Sequence, residues 1–428
     1  MITRPFFALA KPKLNMSVTA PSLGEAVKEL APPSHATLLA EDFTEKKDEL
    51  LVKVQTEVKT GQKLPLVDGH DAYVVCPVTG TIEEIKPHKG YFRKTSMMIT
   101  IRTSEKEERD TAFQSLGDQP LRQTALDFLC RLPGESDFSS VLNPSTPLQT
   151  LVINGVDADF LLSPNQWTVQ HLTARLKAGA AFLKQLLPEA ALVMVVTPQQ
   201  LSLVENLDIP VYPVNPVYPA SLPKLIMKNV FDRTVPAGKE PVDAGCRFLN
   251  AEAVVALADA LEKHEIPVHK ILTVIDKEGK AVQVRARVGT PVGAILEALQ
   301  IETRHGDRLI LGGPMTGQAV YTEDMPISYD TQGLMVQDHS RIVWSEDQQC
   351  INCGECVRVC PANIPVNMLV RVLENGLYED AVEAYDLLSC IECGLCSAVC
   401  VARIPIFHFI MLGKYEYSRI GSGEERND

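Results

Sequence analysis

Eight of the 11 cysteines lie between positions 350 and 400, in two runs that share one spacing. The runs are Cys350-x2-Cys353-x2-Cys356-x3-Cys360 and Cys390-x2-Cys393-x2-Cys396-x3-Cys400. They form an internal repeat, because the matching segments ANIPV and ARIPI follow within two residues of each run. A cubane iron-sulfur cluster needs four thiolates that converge from different directions, and three cysteines at this spacing wrap one corner of it. The sequence therefore predicts two [4Fe-4S] clusters.

The fourth cysteine of each run decides how the clusters are held. In the bacterial two-cluster pattern, which has this spacing, that cysteine ligates the cluster of the other run. The first cluster is therefore assigned to Cys350, Cys353, Cys356 and Cys400. The second cluster is assigned to Cys390, Cys393, Cys396 and Cys360. Two clusters that exchange ligands in one small domain predict an electron relay, and the helical sequence between the runs predicts an α-helical ferredoxin domain.

Zinc sites and disulfides fit the spacing of these cysteines less well than clusters do. Structural zinc prefers a Cys-x2-4-Cys pair from each of two sides, not repeated triplets. A disulfide framework would spread cysteines through a short secreted chain, whereas the remaining Cys76, Cys130 and Cys246 are scattered and expected to be small core residues. The clusters could also be regulatory or purely structural, because the cysteine spacing predicts the metal centre but not whether electrons pass through it.

Length and composition limit the classes of protein that could carry such sites. The 428 residues suffice for about two to four domains, and 45% apolar with 22% charged residues is typical of soluble globular proteins. A net charge of −13 argues against a sequence-independent nucleic-acid binder, which needs a basic face. No run reaches the roughly 18 apolar residues of a membrane span, and the start, MITRPFFALAKPK, lacks a secretory cleavage pattern. We therefore expect a cytoplasmic chain with no direct transmembrane span.

The first two predicted regions differ in their periodicity. Residues 1–103 alternate apolar and polar positions between glycine and proline turns, which predicts an all-β region resembling a lipoyl-like barrel-sandwich hybrid. The hairpin where a carrier lysine would stand, PLVDGHDAYVV, contains none, so a carrier role is excluded. Residues 104–264 are predicted to form an α/β region. Strands are predicted in LQTLVING and AALVMVVT, with one helix, TVQHLTARLKAGAAFLKQLL, between them and a later helix at 250–264. The proline-rich segment IPVYPVNPVYPASLPKLIMK is predicted to be an extended connection.

The last two predicted regions are a small sheet and a helical tail. Residues 265–331 contain a hairpin around Gly279 and then an amphipathic helix, a β-grasp-like pattern. Thr290 is predicted to be the N-cap of that helix and Pro291 its first residue. Residues 332–428 carry the cysteine runs in helical sequence, with almost no strand signal. The expected fold class is therefore multidomain α+β.

The order of these regions resembles the RnfC family, the peripheral iron-sulfur subunits of the Rnf electron-transport complex, over nearly the full chain. The resemblance is carried by the two cysteine runs and by four shorter motifs: CPVTGTI with KPH at 76–88, Asn154-Gly155, Gly289-Thr290-Pro291-Val292, and Gly312-Gly313-Pro314-Met315-x-Gly317. It implies that 104–264 is similar to the flavin and NADH domain of complex I and that 265–331 is an SLBB-like β-grasp domain. Cobalamin reductases of similar layout share these features.

The sequence departs from the family pattern at the flavin site. The family has a GRGGAGFPT-like loop before the strand, whose glycines let the backbone approach phosphate. The corresponding stretch here, LRQTALDFLCRLPGESDFSSVLNPSTPLQT, contains a single glycine, Gly134. Two glutamates of the family motif fall on Asp157 and Asp159, which with Asn154 and Gly155 are the candidate flavin or NADH residues. The missing loop argues against FMN as a cofactor and against NADH oxidation by the chain itself.

The resemblance implies an electron-transfer subunit that relays single electrons between a redox donor and a membrane-bound electron-transport complex. The expected partners are the membrane-bound subunits, which would hold the chain at the inner membrane, and a soluble ferredoxin or flavoprotein donor. One alternative is a flavin-dependent NADH dehydrogenase of the cobalamin-reductase type, which predicts bound flavin. Another is a structural adapter whose clusters mainly stabilise the fold, which predicts no faster cluster reoxidation with the membrane partner present.

Overall fold

The computed structural model describes residues 26–41, 50–66, 73–90, 95–114, 119–342, 344 and 348–422. They form two compact units, the first within Ala20–Ile226 and Pro241–His339 and the second within Met227–Glu240 and Ser340–Asp428. None of the described helices is long and apolar enough to cross a membrane. The N-terminal segment tested for a secretory signal lies outside the described residues, as do positions 67–72 of the hairpin tested for a carrier lysine.

The strands of the described chain all belong to the first unit. In chain order they are β1 Lys28–Glu29, β2 His35–Glu41, β3 Glu57–Val58, β4 Lys63–Pro65, β5 Tyr73–Val75, β6 Gly80–Lys89, β7 Thr95–Thr103, β8 Thr150–Asn154, β9 Ala191–Val196, β10 Val211–Pro213, β11 Cys246–Asn250, β12 His269–Ile275, β13 Ala281–Arg287, β14 Arg308–Leu311, β15 Gln318–Val320 and β16 Gly333–Gln337.

The α-helices of the described chain occur in both units. In chain order they are α1 Leu121–Phe128, α2 Ser139–Leu142, α3 Pro164–His171, α4 Thr173–Leu186, α5 Leu201–Val204, α6 Pro223–Val230, α7 Ala251–Lys263, α8 Val292–Leu299, α9 Glu355–Val359, α10 Val366–Glu374, α11 Tyr378–Glu383, α12 Leu395–Ala398 and α13 Ile406–Ser422.

The N-terminal region is built from an antiparallel sheet in the order β2-β7-β6-β3 and a separate β4-β5 pair. Alternation along β2 buries Ala36, Leu38 and Ala40, and the register places Ala36 opposite Ile101 and Leu38 opposite Ile99. These inward side chains form a core of their own. The predicted all-β pattern is therefore confirmed for the described residues, although β1 leaves this region and pairs in parallel with β13.

The second region contains a fully parallel sheet in the order β10-β9-β8-β11. The predicted strand, helix and strand unit is confirmed, because β8 and β9 are neighbours and α3 and α4 lie between them in the chain. The one predicted helix is two helices, which meet at Leu172. The predicted later helix is α7, which packs against α4.

The prediction that the proline-rich segment is only an extended connection is wrong. Val211–Pro213 forms β10, which pairs with β9 at the edge of the parallel sheet. An edge strand tolerates proline because one side of it needs no N–H donor. Pro223 begins α6, where a first-turn proline loses no helical hydrogen bond. The prolines thus exclude a central strand or helix but permit an edge strand and a helix start.

The third sheet has the order β1-β13-β12-β16-β14-β15. The predicted β12-β13 hairpin is confirmed, but the predicted N-cap is wrong by one residue. Thr290 Oγ1 donates to the Arg287 carbonyl at 2.7 Å, so it stabilises the preceding turn, and Pro291 takes the N-cap position. The sheet also extends past the predicted limit at 331, because β16 pairs with both β12 and β14. A five-residue strand is too short for its alternation to stand out in sequence.

The described helices after residue 350 belong to the second unit. Val366, Leu369, Val370 and Leu373 of α10 are buried, at the spacing of one helical face. They form a core with residues of α13 and with cysteines of both runs. The predicted helical sequence between the runs is confirmed.

Gly179 allows α4 and α7 to approach closely. A Cβ added there would lie 2.1 Å from the Val254 carbonyl oxygen. We expect Gly179→Ala to lower the free energy of unfolding by about 1–3 kcal/mol through overpacking, despite the better helix propensity of alanine. Chemical denaturation checks this, with Lys177→Ala, an exposed change in the same helix, as the control. Equal stability of the two variants would contradict the close approach.

Candidate metal centres

The two cysteine runs fold into loops of the same backbone shape. Asn352 and Glu392, at equivalent positions of the repeat, have φ of 57° and 59°. Gly354 and Gly394 have φ of 75° and 68° and directly precede α9 and α12. A left-handed non-glycine residue costs roughly 1 kcal/mol because its Cβ crowds the next carbonyl. The loops therefore impose this conformation twice, and such strain is typical of functional sites.

One small cavity of the second unit is lined by thiols from both runs. Its cysteines are Cys350, Cys353, Cys356 and Cys400. Three come from the first run and the fourth comes from the second run. Val370, Ile404 and Ile406 contribute apolar lining. The structure therefore brings together the four residues predicted for the first cluster.

A second cavity has the reciprocal composition. Its cysteines are Cys360, Cys390, Cys393 and Cys396. Three come from the second run and the fourth comes from the first run. Ile364, Val366 and Ile410 contribute apolar lining here. All eight predicted ligand residues are thus sorted into the two predicted sets.

Four of the thiols that line these cavities have raised pKa values. Burial raises the pKa of Cys356 and of Cys393 to about 11, and nearby thiols add to the effect. Burial also raises the pKa of Cys390 and of Cys396. These thiols hold their protons at neutral pH in the absence of metal. Metal binding must displace those protons, because the thiolate is the ligand.

The two cavities adjoin at the third cysteine of each run. Cys356 and Cys396 pack in one hydrophobic cluster, on contacting helices α9 and α12. The charge of Cys356 contributes to the raised pKa of Cys396, although each lines a different cavity. Two redox centres held by these cysteines would therefore be close neighbours.

The separation of the sulfurs distinguishes a cluster from a single metal ion. No three of the eight cysteine sulfurs, all of which the structure describes, lie within 4.8 Å of one another. Sulfurs that bind one zinc ion at about 2.3 Å each stand no more than ~4.6 Å apart. Four thiolates spread around an apolar cavity are the donor set of an iron-sulfur cubane. The residues present fit [4Fe-4S] clusters better than zinc.

A group of oxygen and nitrogen ligands lies in the first unit, at Asp307, Asp338 and His339. The Lys277 ammonium already occupies the position of a cation there, 2.5 Å from Asp307 Oδ2. Burial opposes ionisation of Asp307, but hydrogen bonds from Lys277, from His339 and from the Arg304 N–H hold its pKa far below the usual value. These residues therefore form an ion pair with Lys277 and do not indicate a metal site.

All four candidate flavin residues form hydrogen bonds within the protein, and three of them do so around the end of β8. Asp157 is buried, accepts hydrogen bonds from the N–H groups of Asn165 at 2.9 Å and Gln166 at 3.2 Å, and so caps α3. Burial raises the pKa of Asp157 to about 6. Asn154 Oδ1 accepts from the Val156 N–H at 3.3 Å. The Gly155 N–H donates to Val195 of β9 at 2.8 Å.

The fourth candidate, Asp159, anchors the glycine-rich loop that follows β14. Its carboxylate accepts hydrogen bonds from the N–H groups of Met315 at 3.1 Å and Thr316 at 2.7 Å, and from Thr316 Oγ1 at 2.7 Å. A Cβ at Gly313 would lie 2.4 Å from the Asp159 carboxyl carbon. The sequence reasoning noted both motifs but did not connect them, since about 150 residues separate them in the chain.

Sequence reasoning also missed Lys414. Its ammonium donates to the Cys390 carbonyl at 2.8 Å and pairs with Glu392 at 2.6 Å. The available signal was the repeat itself, which aligns Lys414 with Glu374 at an offset of 40 and so reverses the charge.

Comparison with known proteins agrees with this site. A family model described as a 4Fe-4S dicluster domain matches residues 342–401. The C subunit of an ion-translocating oxidoreductase complex from Methanosarcina acetivorans is 26% identical over 79% of this chain and 82% of its own length. The C subunit of a proton-translocating ferredoxin:NAD(+) oxidoreductase complex from Clostridium ljungdahlii is 34% identical over 49% of this chain and 46% of its own length.

Two further comparisons are partial. The corresponding ion-translocating oxidoreductase subunit from Yersinia enterocolitica is 27% identical over 74% of this chain, which spans only 48% of that relative. A crystal structure of an NAD+-reducing [NiFe]-hydrogenase in the H2-reduced state shares 12% identity, covers 74% of this chain and 70% of that chain, and has a TM-score of 0.46. A score this low does not establish a common fold. The oxidoreductase-complex relatives agree with the resemblance seen in the sequence.

The contacts of Asp159 predict a structural role. We expect Asp159→Ala to lower the free energy of unfolding of the first unit by about 1–3 kcal/mol, because it removes the charged acceptor of several partly buried hydrogen bonds in the loop. Iron and sulfide content should not change, since the cysteines belong to the other unit. Thermal unfolding and metal analysis check this, with Glu189→Ala as an exposed acidic control. Loss of bound flavin at unchanged stability would instead favour a ligand role.

Proposed function

We propose that this chain, which resembles RnfC over most of its length, is an electron-transfer subunit that relays single electrons through two [4Fe-4S] clusters. The observation that carries the proposal is the sorting of eight cysteines into two adjoining sets, each completed by the other run. The first cluster would be held by Cys350, Cys353, Cys356 and Cys400. The second would be held by Cys390, Cys393, Cys396 and Cys360.

The chain would hold the clusters with its thiolates, shield them from water and keep them close together. Each bound cluster would supply a one-electron couple. The thiolates fix its position, and the apolar lining of Val370, Ile404 and Ile410 limits water at its faces. Cys356 and Cys396 pack together, so the path between the two centres would be short.

The proposed partners follow from the relatives. Their names describe subunits of ion-translocating or ferredoxin:NAD(+) oxidoreductase complexes. We infer that this chain docks on membrane-bound subunits of such a complex, at the cytoplasmic face of the inner membrane, and exchanges electrons with a soluble ferredoxin or flavoprotein. Its net charge of −13 suits a basic protein partner better than anionic lipid.

We also propose the finer domain assignments that the sequence suggested. The antiparallel sheet and the β4-β5 pair support a barrel-sandwich hybrid at 1–103 without a carrier lysine. The parallel sheet at 104–264 is interpreted as a degenerate flavin and NADH domain. The hairpin and α8 support an SLBB-like β-grasp at 265–331, extended by β16. Residues after 340 would form the α-helical two-cluster ferredoxin domain.

One observation favours a flavin-dependent NADH dehydrogenase as a second candidate. A cleft of about 1170 Å³ in the first unit is lined by polar and aromatic side chains that include Lys63, Tyr73, Arg131 and Tyr329. Ligand sites commonly measure about 300–1,000 Å³, so the cleft has room for FMN.

None of the four candidate flavin residues lines this cleft. Gly134, which is the only glycine of the preceding loop, is used for packing, since a Cβ there would lie 2.9 Å from the Ala253 nitrogen.

The ligand sets predict a pairwise pattern of cysteine variants. We expect anaerobically purified protein to contain roughly eight iron and eight sulfide per chain. Cys400→Ser should remove the same electron paramagnetic resonance signal as Cys350→Ser, because both line one cavity, and Cys360→Ser should match Cys390→Ser. Cys246→Ser, a buried cysteine of the other unit, is the control and should keep both signals. If Cys360→Ser instead matches Cys350→Ser, each run holds its own cluster.

The second candidate function predicts a flavin. The relay proposal expects an iron-sulfur absorbance without stoichiometric FMN after extraction and fluorimetry. A ratio near one FMN per chain, together with bleaching of its absorbance by NADH, would favour the dehydrogenase. Arg131→Ala would then reduce flavin content, because its cation lines the cleft.

A further inference from the structure

The two halves of the 40-residue repeat carry opposite charges at one matched position, which lies next to the second cavity in the second half. The segments IPVNMLVRVLE and IPIFHFIMLGK align Glu374 of α10 with Lys414 of α13. The same helical position therefore carries a negative charge after the first run and a positive charge after the second. A difference of sign at matched positions gives the two cluster sites different electrostatic surroundings.

Lys414 is held against the loop of the second run. Its Nζ donates to the Cys390 carbonyl at 2.8 Å and lies 2.6 Å from Glu392 Oε1. The Lys414 side chain is 19% exposed, whereas that of Glu392 is 41% exposed. Solvent therefore screens the carboxylate more than the ammonium.

The two sites also differ in exposure. Ile351 and Val401 line the first cavity and are 55% and 58% exposed. Their counterparts in the repeat, Ile391 and Pro361, are only half-exposed or less and line the second cavity. Reducing a cluster adds negative charge, which water stabilises and burial disfavours. Burial alone would make the second cluster the harder one to reduce.

We propose that Lys414 is a positioning residue that sets the reduction potential of the second cluster, because its partly buried ammonium offsets the cost of adding an electron where solvent access is limited. This inference rests on the proposed function, because it requires a cluster at Cys390, Cys393, Cys396 and Cys360. The reduction transfers one electron from an external reductant to the cluster. No covalent bond forms or breaks in this step. The exposed first cluster needs no such charge, which is why Glu374 is tolerated at the matched position.

The test is an anaerobic redox titration of the full-length, cluster-loaded protein with dithionite, followed by electron paramagnetic resonance. The signal of the second cluster is identified as the one lost in Cys390→Ser. Lys414→Gln should make that cluster roughly tenfold harder to reduce at a fixed potential, a downward shift of about 59 mV for a one-electron couple. The first cluster should keep its midpoint. Lys414→Arg should restore the midpoint, because it keeps the charge.

Two further variants distinguish an electrostatic effect of Lys414 on the reduction potential from a purely structural role of its ion pair. Glu392→Gln should raise the midpoint of the second cluster, since it removes the opposing charge, and a merely structural role for the ion pair would not give shifts of opposite sign. Glu374→Gln is the matched control in the other half of the repeat and should shift neither midpoint appreciably, because Glu374 is exposed. If Lys414→Gln fails to load its cluster, the sign of the Glu392→Gln shift decides.

Failure of this inference is distinguishable from failure of the proposed function. If both clusters load and titrate but neither Lys414→Gln nor Glu392→Gln moves a midpoint, the role of Lys414 is wrong and the relay stands. Equal shifts of both clusters would also overturn the inference, because Lys414 contacts only the second loop among its assigned hydrogen bonds. If the unmodified protein holds no iron-sulfur clusters, the proposed function itself fails and this inference falls with it.

Discussion

The arrangement of the second unit depends on one constraint: neither cysteine cavity is complete within its own run. Each takes three thiols from one loop and one from the other. The loops must therefore pack together before either set of four exists, and the third cysteines, Cys356 and Cys396, are drawn into a shared apolar core. Binding energy at one centre would stabilise the other, because metal binding to a site that forms only on folding is folding free energy.

Packing two such centres together creates an electrostatic problem. Burial raises the pKa of the thiols and for the same reason disfavours the extra negative charge of a reduced cluster. The two sites differ in what could relieve this: Ile351 and Val401 at the first site are exposed, whereas the Lys414 ammonium lies against the loop of the second run. A nearly exact backbone repeat thus supports two chemically different surroundings.

The first unit uses its carboxylates for architecture. Asp157 caps α3 and Asp159 ties β8 to the loop after β14 through several backbone N–H groups. Both carboxylates accept hydrogen bonds from protein donors, so these residues join the end of β8 to α3 and to the loop after β14.

The sequence by itself determined the cysteine sets, the βαβ unit, the β12-β13 hairpin and the helical character of the tail, because each depends on local spacing or periodicity. Short segments whose state depends on a neighbour were decided only by the tertiary structure: β10 exists because β9 offers an edge, and β16 because β12 and β14 leave a gap between them. The contacts of Asp159 and Lys414 likewise depend on residues that are distant in the chain. Spacing along the chain specifies what a segment can ligate or form, whereas burial and charge at a site arise from residues that only folding brings together.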